Sequence, residues 1–245
     1  MSIEGYIYLK SPNFILSGFF LIGIIINMHN ITLLSSCHKN IGLCNPLELF
    51  KIIENIKPDV IFEELDIETF NYIYKQGIPS TNESITINRY LQTNRIKHFP
   101  VDTFEFDDFP MDDKAIMDNT FGENQDFKKL ILIQYQLMVE KGYLFLNSKL
   151  CSEIFFEIQK MENILHQQLN NEKITSTYKA WVELNINREK TMIENIYKYC
   201  KDNSFNTGLL ITGAEHRNSL INIMQNYKDD EIHINWNIVN YEINL

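Results

Sequence analysis

"NITLLSSCHKNIGLCNPLELFKIIENIKPDVIFEELD", Asn30 to Asp66, decides the fold. Ile31 to Leu34 form a short apolar run that ends in two serines, a cysteine and His38. Asn45 is a residue type whose side chain accepts from the free N–H groups of a helix start, and Pro46 suits the first helical position. Leu47, Phe50, Ile53 and Ile56 then recur at helical spacing. Pro58-Asp59 stops the helix, and "VIFEELD" reads as a second buried strand. A strand, a helix of about ten residues and a second strand make a βαβ unit whose strands run parallel.

Downstream, "ITINRYLQTNRIKHFPVDTFEF" repeats the pattern, with a helix expected over Ile87 to Asn94 and a strand leading into Val101 and Asp102. "DTFEFDDFPMDDKAIMD" is a loop by composition. From Asn124 to about Tyr199 the chain is mostly helical, with three amphipathic stretches: "FKKLILIQYQLMVEKGY", "EIFFEIQKMENILHQQL" and "NINREKTMIENIYKYCKD". The apolar "GLLITGAEH" then ends in a glycine and His216, and "EIHINWNIVNYEI" alternates as an edge strand does. The expected fold class is α/β: a mixed, mostly parallel central sheet with flanking helices and a helical insertion at about 124–185. Residues 30–245 form one domain, and residues 1–29 are an extension or hydrophobic segment.

The 245 residues are 44% hydrophobic, enough for a sizeable core. A net charge of -10 disfavours partners that carry a phosphate backbone, so no nucleic acid is expected. Cys37, Cys44, Cys151 and Cys200 form no CxxC pair; reduced thiols and a cytoplasmic location are the simplest reading. The run "NFILSGFFLIGIIINM" has an apolar core of about 13 residues, short of the roughly 20 that span a bilayer, so a membrane partner is not expected. A signal-peptide core, an upstream extension before Met28 and an element added to the core all remain open for it. No GxSxxG-like elbow, P-loop or GxGxxG is present, which disfavours serine hydrolases, nucleotide triphosphatases and dinucleotide enzymes.

In open α/β sheets ligands bind beyond the carboxyl ends of the strands. His38, Glu64, Asp102 and His216 all lie at or just past such ends. Two imidazoles and one or two carboxylates there could hold a divalent metal or run acid–base chemistry, and spacing does not separate the two. Asp102 sits among several acids, and a solvated loop is its simpler reading. His29, His98, His166 and His233 have no partner pattern and read as structural or exposed. Cys37 and His38 are neighbours in an extended segment and face opposite ways, against a direct Cys-His pair.

"SSCH" (Ser35 to His38), "KPDVIFEELD" (Lys57 to Asp66), "NREKTM" (Asn187 to Met192) and "GAEH" (Gly213 to His216) occur in that order. This succession resembles the TraB/PrgY, Tiki, ChaN and erythromycin-esterase superfamily, from Asn30 to about Tyr227. The resemblance implies two G-x-x-H histidines, here His38 and His216, a strand-end glutamate, here Glu64 rather than Glu63, and a late-helix arginine, here Arg188. Ser35 departs from the pattern, standing where the first G-x-x-H has glycine. The resemblance implies a hydrolase acting on a small molecule or peptide. Glu64 and one histidine would activate water, directly or on Mn, Co or Zn held by His38, Glu64 and His216, and Arg188 would position the site or stabilise negative charge. ChaN-like members imply the alternative, a non-enzymatic cleft that holds haem or a peptide, and Ser35 favours a third reading, a vestigial cleft.

Overall fold

The computed structural model describes residues 27–104 and 109–243. In chain order the main elements are β1 (Asn27–Ser36), α1 (Pro46–Ile56), β2 (Val60–Glu63), α2 (Ile67–Asn71), α3 (Asn82–Thr93), β3 (Lys97–Pro100), α4 (Met111–Phe121), α5 (Gln125–Lys141), α6 (Tyr143–Leu146), α7 (Lys149–Gln168), α8 (Glu172–Asp202), β4 (Thr207–Gly213), α9 (Arg217–Asn226) and β5 (Ile232–Ile238). A single turn of π-helix, Tyr72–Gln76, continues α2, and a 3₁₀ turn, Ala214–His216, joins β4 to α9. Nearly all of the apolar run before β1 lies outside the described residues; its last two, Asn27 and Met28, open β1, which therefore starts before residue 30. Among the described residues no helix is long and apolar enough to cross a membrane.

The five strands form one sheet in the order β3-β2-β4-β1-β5, and every pairing is parallel. A wholly parallel sheet needs both faces covered, which is why β2 and β4 are continuous apolar runs rather than alternating ones. The sheet divides the core by residue parity. Leu34, Ile61, Leu209 and Ile211 face a core with α1, α3 and the insertion helices. Leu33, Phe62 and Leu210 face a second core with the C-terminal half of α8 and with α9. The β1 and β2 of the opening unit are parallel but not neighbours, because β4 lies between them. β5 takes the edge beside β1, as its alternation requires.

The α1 start is as the sequence dictates: Asn45 Oδ1 accepts from the N–H groups of Leu47 and Glu48, both at 3.0 Å. α3 begins five residues before the expected Ile87, capped by Thr81, whose hydroxyl exchanges hydrogen bonds with Ser84. Its polar first turn hides the start from a reading based on apolar spacing. The acidic stretch after Asp102 is not all loop, since α4 occupies Met111–Phe121. The expected insertion boundary near residue 185 falls inside α8, one continuous helix of 31 residues. Its first half belongs with α4, α5 and α7, and its second half lies on the sheet.

Candidate active site

β1 leaves the sheet toward α1 on one face, and β4 leaves toward α9 on the other. Their carboxyl ends pair side by side, Ser36 opposite Gly213. This divergence between neighbouring strands is the topological switch point, where open α/β sheets form a crevice. A cavity of about 850 Å³ opens there, lined by Ser36 to Lys39 on one side and Gly213 to Glu215 on the other. Phe127, Ile131, Leu132, Phe155 and Ile158 of α5 and α7 give it an apolar wall.

Beneath the crevice lies a buried charge network. Arg188 enters from α8 and binds Asp102 through Nε (3.2 and 3.1 Å to the two oxygens) and Nη2 (2.6 Å). The same Nη2 donates to Glu64 Oε1 at 2.9 Å, and Nη1 donates to Asn185. Glu64 Oε2 accepts the Gly213 N–H at 2.5 Å. His216 is fully buried, with Nδ1 2.7 Å from Glu189 Oε1 and Nε2 3.2 Å from Glu64 Oε1. Asp102 is thus an ion-pair partner of Arg188, not a solvated loop residue. His216 stands at the N-terminal end of α9, but its side chain makes no capping bond there and turns back onto α8.

These contacts fix protonation. A neutral His216 donating from Nδ1 to Glu189 would aim an Nε2 lone pair at a Glu64 oxygen, which is repulsive at 3.2 Å. A proton on Nε2 removes that repulsion. Burial opposes the imidazolium, but the Glu64 charge and the hydrogen bond to Glu189 outweigh it and raise His216 to about 10. Burial would likewise raise Glu64, yet His216 above all, with His38 and Arg188, holds it down at about 2. Both are therefore charged at neutral pH. Nε2 still lacks a well-aligned hydrogen bond, so the His216–Glu64 contact is Coulombic in character.

His38 stands apart from this network. Its side chain is 56% exposed, lines the cavity and has Nδ1 3.3 Å from Glu83 Oε2. The Glu83 bond and charge raise it to about 9, outweighing the partial desolvation of its inner edge. The structure thus joins Glu64, Arg188 and His216 but leaves His38 with a different carboxylate. The residues as arranged do not fit a divalent metal at His38, Glu64 and His216. Both Glu64 oxygens already accept hydrogen bonds, Arg188 places a positive charge against one of them, and Nε2 of His216 carries a proton. Among the described residues no group of three or more His, Cys, Asp or Glu is arranged to hold a metal ion.

Two flanking residues, Gly213 and Ser35, bear on access to the site. Gly213 has φ -56°, open to any residue, and a Cβ there would meet Glu64 Oε2 at 3.4 Å, ordinary contact. The strand exit itself therefore does not require glycine. Ser35 is buried, and Asn147 takes both its N–H (2.7 Å) and its carbonyl (2.9 Å), so that backbone is closed to a ligand. Sequence reading passed over Glu83, Glu189 and Asn147. Glu189 follows Arg188 directly, and Glu83 sits in a capped first turn; both were visible only once the helix register was known. His98, read as partnerless, lies 2.6 Å from Glu63 Oε1. Compared with known proteins, the chain matches no family model, no curated protein and no solved structure.

Proposed function

We propose that the chain is a hydrolase of the TraB/Tiki/erythromycin-esterase type, with His38 as general base and no resident metal. The observation that carries this is the placement of a Glu83-backed imidazole on the wall of the switch-point cavity, above the buried Glu64–Arg188–His216 network. Glu83 holds Nδ1 and leaves Nε2 to take a proton from water. The hydroxide formed attacks the carbonyl carbon of an ester, lactone or amide, and the imidazolium returns the proton to the leaving atom. Glu64, Arg188 and His216 are too enclosed to touch substrate in this geometry. They position the β4 exit loop, which Glu64 holds by the Gly213 N–H, and the Glu64 charge helps to raise His38.

The test is hydrolysis of a panel of 4-nitrophenyl esters, lactones and short peptides. Activity of the parent chain and a fall of about 10²–10⁴ in kcat/KM for His38→Ala, with an unchanged circular dichroism spectrum, are expected. Parent activity retained in a folded His38→Ala chain would refute the assignment, as would a parent chain inert on the whole panel. The apolar wall next to an accessible histidine favours one second reading, a cleft that binds haem with His38 as axial ligand. Titration with haem separates the two: an absorption shift lost in His38→Ala supports binding, and an unshifted band rules it out.

A further inference from the structure

We infer that Cys37 and Cys44 form a redox-responsive dithiol, a modification site that closes to an intramolecular disulfide at the edge of the cavity. The chain folds back between them. Ile41 and Cys44 exchange backbone hydrogen bonds, 2.9 Å from the Ile41 N–H and 2.8 Å from the Cys44 N–H. One amide nitrogen, Nδ2 of Asn82, donates to the carbonyls of Cys37 (2.9 Å) and Cys44 (3.1 Å) and lies 3.9 Å from Cys37 Sγ. The carbonyls of the two cysteines thus converge on a single atom; Cys37 Sγ donates to Lys39 O at 3.3 Å and Cys44 Sγ to Met138 O at 3.5 Å, and the Cys44 thiol lowers the Cys37 pKa while Cys44 itself is raised. A disulfide forms where the Cβ atoms approach to roughly 4 Å, and a loop folded back at Ile41–Cys44 and tied at both cysteine carbonyls by one amide brings the pair within reach of that closure.

The two thiols differ in access, which orders the chemistry. Cys37 lines the cavity and is partly exposed, whereas Cys44 is fully buried behind it. A peroxide entering the cavity therefore meets Cys37 first. The Cys37 thiolate attacks one peroxide oxygen, the O–O bond breaks, and hydroxide leaves, giving a sulfenic acid. The Cys44 sulfur then attacks the Cys37 sulfur, the S–O bond breaks, and the oxygen leaves as water with the Cys44 proton. Two thiols are oxidised by two electrons, and hydrogen peroxide is reduced to two waters. Asn82 also holds the Lys39 carbonyl at 2.8 Å, so a bridge between residues 37 and 44 would tighten the loop that presents His38. The dithiol does not rest on the hydrolase reading.

The experiment treats the full, folded chain with hydrogen peroxide, counts thiols after denaturation and maps the non-reduced peptides. The free thiols should fall from the initial four to half that number, with an intact mass lower by about 2 Da and one cross-link joining Cys37 to Cys44. Dithiothreitol should reverse all of it, Cys37→Ser should abolish it, and Cys151→Ser should leave it intact. Four surviving thiols, a bridge between any other pair, or Cys37 oxidised to sulfinate beside a free Cys44 thiol would each overturn the proposal. The parent chain's peptide map decides the matter even if a serine variant fails to fold.

Discussion

Arg188 is the only cation in direct contact with Asp102 among the described residues, and it shares Glu64 with His216. Replacing it by Met would leave Asp102, 7% exposed, without its counter-charge. Loss of one partner from a buried pair costs about 3–5 kcal/mol, so Arg188→Met is expected to lose that much in urea denaturation. Arg188→Lys should recover little, because one ammonium cannot reproduce the fork that spans both carboxylates. A loss below about 1 kcal/mol would mean that the network does not hold the fold. His38 is tested by pH. A base must be neutral, and Glu83 holds His38 near 9, so hydrolysis should rise with pH up to about 9. Glu83→Gln removes the group that raises it, and the rise in kcat/KM should move to lower pH; an unmoved profile would assign the base elsewhere. Four of these residues were legible in sequence because a strand end or an ordered succession of short patterns marked them. Their partners were not, since Glu189 and Glu83 come from helix faces whose register apolar spacing does not fix.

At the level of elements, the loop carrying His38 is clasped to the end of α5. Gly42 and Gly142 both have positive φ, 53° and 56°, and each meets the other segment's backbone. A Cβ on Gly142 would stand 2.6 Å from the Leu43 carbonyl oxygen, and the Leu43 N–H donates to Val139 O at 3.0 Å. Neither backbone can yield without breaking that hydrogen bond. Gly142→Ala should therefore lower stability by more than about 1 kcal/mol, combining left-handed strain with the clash, and it should loosen the loop before Cys44. Hydrogen exchange of the Leu43 and Cys44 amides would report it; unchanged protection would show that the clasp is not what orders the loop. No local signal in the sequence marks this clasp between β1 and α1. Long-range backbone contacts of that kind leave no periodic trace, whereas the βαβ elements were readable because caps and apolar spacing are local. The composition of the segment after Asp102 misled for the opposite reason. Asp112 and Asp113 sit in the first turn of α4, where the helix dipole favours them.

For the molecule as a whole, the parallel sheet and its switch point follow from chain order, but the insertion of β4 between β1 and β2 depends on tertiary packing. That insertion brings the β4 exit against Glu64 and buries His216, and it thereby couples global stability to two titrations. His216 is raised from 6.5 to about 10, so its contribution is complete below pH 6.5 and is lost as pH climbs through about 10. Glu64 is lowered from 4.5 to about 2, so its contribution is complete above pH 4.5 and is lost as pH falls through about 2. Both operate in full only between pH 4.5 and 6.5. The thermal midpoint should accordingly plateau there and decline on both sides. His216→Gln removes the imidazolium and should flatten the alkaline decline. The acid limb should move up toward the ordinary carboxylate range, because His216 is the chief group holding Glu64 down. Differential scanning calorimetry from pH 3 to 10 on both chains tests the two limbs separately. An alkaline decline as steep in His216→Gln as in the parent would mean that the buried histidine is not the charged group to which the fold is coupled.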